Sequence, residues 1–425
     1  MCSSDLGAIS AGANFENAMS SVAAISGATG SDFDRLSEKA KQLGKSTQYT
    51  ASETASAMEY MAMAGWKTED MLNGIEGVMD LAAASGEDLA GVSDIVTDAM
   101  TAFGLSADGT TKIIKDGFTK EVSNASHFAD VLAAASANSN TNVAMLGESF
   151  KYAAPVAGSL GYSVEDTAIA LGLMASSGLK SSMAGSSLRT ILTNLAKPTD
   201  DISDAMDYLG ISLQNGDGSM KSLMDIVTDL RGAFGQCKMP MDQFQENLAK
   251  LDEKYANGEL TEKKYNEALA DLTEKAYGAE GALKAKYAAT LAGKEGMSGL
   301  LSIVSAAPED FDKLTNAIYN SDGAAKEMAE IKMDNLQHDV VKLQSAMEGL
   351  GITAFNQVGG KMRGLVGIAT ETVGKIDEKL ASGKGIEKAV DKIESMVEKA
   401  KPYWDIFKTD ALEAGTALGD AAGAI

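Results

Sequence analysis

Gly44-Lys45-Ser46 has the ending of a phosphate-binding loop, in which backbone N–H groups cradle phosphates and the lysine reaches them. The glycine required five residues earlier is Lys39, and the preceding run reads as helix rather than strand, so the loop is rejected. Asn215, Asp217 and Ser219 have the opening spacing of a calcium loop. Met220 stands where that loop needs glycine and Ile226 where it needs a bidentate glutamate, so an ordinary turn is expected. His127 and His338 are the only imidazoles, and Cys2 and Cys237 the only thiols. Two cysteines so far apart make neither a disulfide framework nor a metal cluster, and a zinc site would have to recruit carboxylates. Neither G-x-S-x-G nor H-E-x-x-H occurs. The sequence therefore names no catalytic, cofactor-binding or metal residue. His127 beside Phe128 and His338 among charged residues read as structural or solvated. Arg189, basic on an otherwise apolar helix, is expected in an internal salt bridge. Met58, Met61, Met63 and Met71 read as core filling, with an adaptable partner surface as the alternative.

The elements that would carry these residues are helical. The 425 residues hold 43 Gly, 22 Met and only 5 Pro, with 6% aromatics, a balance that favours a mainly α fold of two or three domains. The net charge of −23 argues against a duplex-binding surface, which needs clustered Lys and Arg. No apolar run approaches the ~18–20 residues that span a bilayer, and MCSSDLGAIS lacks the basic start of a signal peptide. Synthesis in a cytoplasm, without export, is the expectation.

Residues 1–30 form a helical lead-in. Phe33, Leu36, Ala40 and Leu43 share one face of a helix that ends at Gly44. Thr50-Ala51-Ser52-Glu53 is a capping box opening a helix to Gly65, followed by helices over about 68–85 and 88–103. The arrangement then returns. Tyr49, Thr50, Glu53, Thr54, Ala57, Met61, Gly65 and Lys67 recur at one constant offset as Tyr162, Ser163, Asp166, Thr167, Ala170, Met174, Gly178 and Lys180. A constant offset that keeps cap, core positions and terminating glycine is more than shared composition. The reading is a helical-bundle core over 31–235 with an internal duplication, about 49–108 and 162–217. Between the copies, a helical link is expected to break near Asn138-Ser139-Asn140 and again at Pro155. ISLQNGDGSMKS, after Gly210, could form a small hairpin, and one more helix runs from Leu223 to Phe234.

Residues 236–290 read as a helical hairpin turning at Asn257-Gly258. Phe244, Leu248, Leu251 and Tyr255 face Leu260, Tyr265, Leu269 and Leu272. Residues 291–402 carry amphipathic and heptad helices. Leu336, Val340, Leu343, Met347, Leu350 and Ala354 make one 4-3 seam, and Ile386, Val390, Ile393, Val397, Ala400, Trp404 and Phe407 another, kinked by Pro402. Such seams pair in cis, between chains or against the chain's own core. Residues 403–425 read as the start of a truncated C-terminal region.

The stretch from His127 to Pro198 contains FADVLAAAS, then GESFKYAAPVAGSLGYSVEDTA, then GLMASSGLKSSMAGSSLRTILTNLAKP. It resembles the core of phage tail tape measure proteins, as does LKAKYAATLAGKEGMSGLLSIVSAAPEDFDKLTNAIYNSDGAAKEMA. The resemblance extends over roughly residues 14–365. It implies a structural protein, not an enzyme. Several copies would lie in the lumen of the growing tail tube, with tail assembly chaperones bound beforehand, and the tube would polymerise to their end. It further implies a virion component made in the bacterial host cytoplasm, self-association in the lumen, ejection at infection, host membrane contact during ejection and no specific nucleic acid binding. A helix suits a ruler because hydrogen bonding fixes its rise at ~1.5 Å per residue. The alternative from another class is a membrane-perturbing helical effector that aids genome passage through the cell envelope.

Overall fold

Helix caps set the frame, because a buried helix end must find partners for its free N–H and C=O groups. The structure, a computed structural model, describes residues 3–115, 118–235, 241–261, 263–269, 280–353 and 355–356. The helices of the first half are α1 (Ser3–Ser26), α2 (Ser31–Ser46), α3 (Ala51–Met63), α4 (Thr68–Ser85) and α5 (Leu89–Phe103). A two-stranded antiparallel hairpin, β1 (Thr110–Lys115) and β2 (Phe118–Ser123), comes next. There follow α6 (Asn124–Asn138), α7 (Val143–Ser159), α8 (Val164–Ser176), α9 (Ser181–Ala196), α10 (Asp200–Leu209), α11 (Leu223–Gly235) and α12 (Met241–Ala256). The described chain closes with α13 (263–269), α14 (Glu280–Val304), α15 (Pro308–Tyr319), α16 (Ala324–Met333) and α17 (336–353).

The chain divides into two compact units. One takes in the described residues up to Ile75, Leu89–Ser93 and those from Ile331 onward; the other takes in Glu76–Asp88 and Asp94–Glu330. In the first, α3 packs on α1 and α2 around buried Met19, Val22, Leu36, Ala40, Met58 and Met61. In the second, α7, α9 and α14 lie side by side, and α15 rests on α6 and α8. Its centre holds Phe103, Phe128 and Phe150, with edge-on ring contacts at 5.5 and 5.7 Å. Small residues bring backbones together here: a Cβ on Gly185 of α9 would lie 2.2 Å from the Ser149 carbonyl oxygen of α7.

The local features on which the duplication reading rests have closely similar geometry. Thr50 Oγ1 accepts from Glu53 N at 3.1 Å and opens the 13-residue α3; Ser163 Oγ accepts from Asp166 N at 3.0 Å and opens the 13-residue α8. Gly65 and Gly178 follow with φ of 87° and 95°, a conformation open to glycine and strained for side chains. The third residues then part ways. Glu53 turns back to Thr50 N at 2.8 Å and completes its capping box, whereas Asp166 faces the interior.

Three expectations change. Pro155 lies inside α7, which continues through it, and Lys151, whose carbonyl loses the proline's missing N–H, is on the exposed side. The hairpin at 110–123 was not anticipated. Its register pairs Lys115 with Phe118 across a two-residue connection that reads Asp116-Gly117, a strong hairpin signal among β-branched residues. The stretch after Gly210 narrows to a single antiparallel bridge, Gln214 to Met220. The helical hairpin of α12 and α13 brings Tyr255 and Tyr265 to 4.7 Å between ring centres, with Tyr265 donating to Asp252 at 2.6 Å. Leu272, Ala354, the seam from Ile386 to Phe407 with Pro402, and residues 403–425 lie outside the described residues.

Candidate functional site

A group of polar side chains, a polar clasp, lies in the second unit, in the first two turns of α6 and the first turn of α8, beside the incoming helices. From α6, Asp130 Oδ2 accepts from Gly323 N and Oδ1 from Ala325 N, both at 2.9 Å. A carboxylate so placed caps the start of α16 from another helix and meets the positive end of its dipole. From α8, Asp166 Oδ2 accepts from Met224 N of α11 at 3.2 Å, and Oδ1 accepts from the Tyr319 hydroxyl of α15 at 2.5 Å. Glu165 beside it meets His127 Nε2 at 2.9 Å. Lys120 of β2 reaches Asp322 at 3.2 Å. Arg231 of α11 donates through Nη1 to the Ile303 carbonyl at 2.7 Å and through Nη2 to the Ala306 carbonyl at 2.8 Å, closing the end of α14. Its guanidinium also lies over Phe311, 4.4 Å from the ring centre.

Burial raises Asp130 above the usual carboxylate range, against the two backbone bonds that hold its charged form. Burial also pushes Glu165 up, but the His127 bond and backbone and Ser163 hydrogen bonds outweigh it and leave Glu165 below its ordinary value. Burial and the bond to Asp166 together raise the Tyr319 hydroxyl. Nearby Asp80 is pushed up to about 6, first by burial and then by Glu76, Asp130 and Glu330, with Lys326 opposing. Both oxygens of Asp130 and of Asp166 are engaged by backbone amides or a hydroxyl. Such an arrangement holds helices in place.

The residues singled out in the sequence fall apart in space or into structural roles. His127 is half of a part-buried pair with Glu165, and His338 is part-buried beside Asn335. Asp217 accepts from Ser219 N and Oγ at 2.9 and 2.6 Å in a tight turn, which holds its carboxyl below the ordinary range. Arg189 lies over the Tyr152 ring, 5.9 Å from its centre, in place of the expected carboxylate. Met58, Met61 and Met71 are core, whereas Met63 is 55% exposed. Cys2 and Cys237 lie outside the described residues. Asp130, Arg231 and Tyr319 carried no sequence signal, and Asp166 only that of a cap position, because their partners are remote along the chain. A groove of about 680 Å³ between α10 and α14 is lined by Asn194, Asp201, Tyr208, Lys286 and Tyr287, with the two tyrosines stacked at 5.0 Å. Among the described residues, no helix is long and apolar enough to cross a membrane.

Comparison with known proteins follows the same direction. Residues 37–251 match the family model described as phage-related minor tail protein. The chain is similar to a tape measure protein of Pneumococcus phage Dp-1, 34% identical over 365 residues that make up 86% of this chain and 27% of that protein. It is also similar to a probable tape measure protein of Escherichia phage P2, 25% identical over 356 residues, 84% of this chain and 37% of the relative. The chain thus spans well under half the length of these curated relatives. No solved structure matches it.

Proposed function

The chain belongs to the family of phage-related minor tail proteins, and we propose that it serves as part of a tail tape measure, a structural ruler that sets the length of the tail tube and leaves it at infection. The observation that carries this reading is similarity over most of the chain to two proteins named for that role. The polar clasp supports it from the chemical side, since its acids hold helix ends and hydroxyls. On this reading the chain resides in the tube lumen of the virion, after synthesis in the host cytoplasm. Its partners are tube subunits, assembly chaperones and further copies of itself.

The same reading treats 31–235 as the core, with 49–108 and 162–217 as two copies of one helical unit. The matched caps of Thr50 and Ser163 and the matched Gly65 and Gly178 favour it. On this reading the second unit is a folded piece in the free chain, and its contribution to tail length is small unless the clasp opens. Mass spectrometry of purified virions before and after triggered ejection tests the role. The reading expects peptides from residues 37–251 in intact particles and their loss from emptied tails. Peptides absent from intact particles would refute it.

A further inference from the structure

Helix α14 is bent at Gly293, whose φ of 67° and ψ of 177° lie in a region essentially reserved for glycine. Up to that point α14 runs antiparallel along α9. Gly299 lies against Ser187, Gly296 against Ile191 and Gly293 beside Asn194. Helix α9 ends at Ala196, so a straight α14 would run past the end of its support, and the glycine turns it toward α10 instead. The half after the bend is fastened. Ser187 Oγ donates to the Glu295 carbonyl at 2.9 Å, and Arg231 holds the carbonyls of Ile303 and Ala306. A Cβ on Gly299 would lie 2.7 Å from Ser187 Cβ, so the two helices touch closely there. The half before the bend is held lightly. Its buried apolar side chains among the described residues are Ala288, Leu291 and Ala292, two of them only methyl groups. Its outer contact with α10 is the Tyr208–Tyr287 stack, in which Tyr208 stays 51% exposed.

We propose that Gly293 is a hinge, on which the arm over 280–292 swings off α10 and α14 becomes one continuous helix. Within α14, the two dihedrals of this residue separate the bent form from the straight one, and glycine enters both regions without a Cβ penalty. The sequence on either side carries no other stop. Ala288-Ala289-Thr290-Leu291-Ala292 precedes the glycine and Lys294-Glu295 follows it, with neither a proline nor a capping side chain where the second half starts. Straightening restores about four backbone hydrogen bonds across the break, which offset the lost stack and the small apolar area under the arm. It also dismantles the groove between α10 and α14, since Tyr287 and Thr290 on the arm form one wall of it. A straight α14 of 25 residues extends roughly 38 Å, so the second unit lengthens without unfolding its core. The proposal does not rest on the tail role.

The test uses the full chain with Cys2→Ser and Cys237→Ser, spin-labelled at Asp207→Cys on α10 and Lys286→Cys on the arm. Distances are read by double electron–electron resonance. A second pair, Asp207→Cys with Ser298→Cys, reaches the fastened half and serves as the control; all three positions are exposed. Gly293→Ala then penalises the bent backbone alone, because its methyl has room: the nearest atoms, Asn194 Nδ2 and Thr190 Cγ2, are 3.5 and 3.9 Å away. The 207–286 distance should lengthen by about 10 Å, since Lys286 lies roughly seven residues from the hinge, while the 207–298 distance holds. Tyr208→Ala, with Gly293 in place, reads the same motion in a chain whose backbone is untouched, and should populate the longer 207–286 distance. An unchanged 207–286 distance in folded Gly293→Ala, or in Tyr208→Ala where the first variant does not fold, would overturn the proposal. Lengthening of both distances together would overturn it as well, because the whole of α14 would then be leaving α10.

Discussion

The Tyr319 hydroxyl donates to Asp166 Oδ1 at 2.5 Å and ties α15 to the first turn of α8 across 153 residues of sequence. Glu53, third residue of α3 as Asp166 is of α8, does nothing of the kind; it only closes its own cap. One position, third in an N-terminal turn, thus does local work in one place and tertiary work in the other. The added methylene of Glu53 lets it reach back, whereas the shorter Asp166 lies where α11 and α15 arrive.

Removing this tie should be measurable in isolation. Asp166→Ala leaves Tyr319 and Met224 N without their acceptor, and a loss of about 3 kcal/mol is expected. Tyr319→Phe should lose about 1–2 kcal/mol, and the double variant less than the sum of the two. Urea unfolding of the four proteins gives the coupling directly. Strict additivity would mean that the two residues act apart.

Asp130 should control the start of α16 without touching the rest of the bundle. Asp130→Ala strips the acceptor from Gly323 and Ala325, so hydrogen exchange at those two amides should accelerate at least tenfold. Stability should fall by about 2–4 kcal/mol. Asp130→Asn, which keeps one carbonyl acceptor, should lie between.

Asp80 gives a pH dependence of definite sign. Its folded value of about 6 exceeds the ~3.9 of an unfolded aspartate, so the folded state binds the extra proton between these limits. Through this group, stability rises as pH falls from about 7 to 4. Asp80→Asn should therefore raise stability at pH 8 by roughly 1 kcal/mol, allowing for its partial exposure, and lose that gain by pH 4. Thermal midpoints of both proteins across that range check it.

Two glycines on different helices of the second unit should respond in opposite directions. Gly185→Ala would press a methyl against the Ser149 carbonyl oxygen and should destabilise by about 2–3 kcal/mol. Gly232→Ala, in α11 with open space around it, should stabilise by up to about 1 kcal/mol. Chemical denaturation of both variants separates close packing from helix propensity.

What could be read in advance was the local physics. The capping box at Thr50, the helix from Thr68 to Ser85 and the turn at Asn257-Gly258 all follow from hydrogen bonds and periodicity within a few residues. The hairpin at 110–123 is equally legible from Asp116-Gly117 between β-branched residues, although helices flank it on both sides. Pro155 does not end α7, because the carbonyl of Lys151, which it leaves without an N–H, lies on the exposed side. The clasp was illegible for a different reason. Nothing near Asp130, Asp166 or Arg231 says that backbone groups at Gly323, Met224 or Ile303 will arrive there. The seam of α17 shows the same limit: periodicity identified the apolar stripe, while only the fold shows that Ser345, Gly349 and Ile352 take the inward side.

The ruler itself is tested most directly by tail length in the parent phage. Deleting about 50 residues in frame between Lys326 and Lys401, and measuring tails by electron microscopy, converts sequence length into distance. The account predicts tails shorter by up to ~75 Å, the rise of an extended helix of that length. Tails of unchanged length would contradict an extended ruler over this segment.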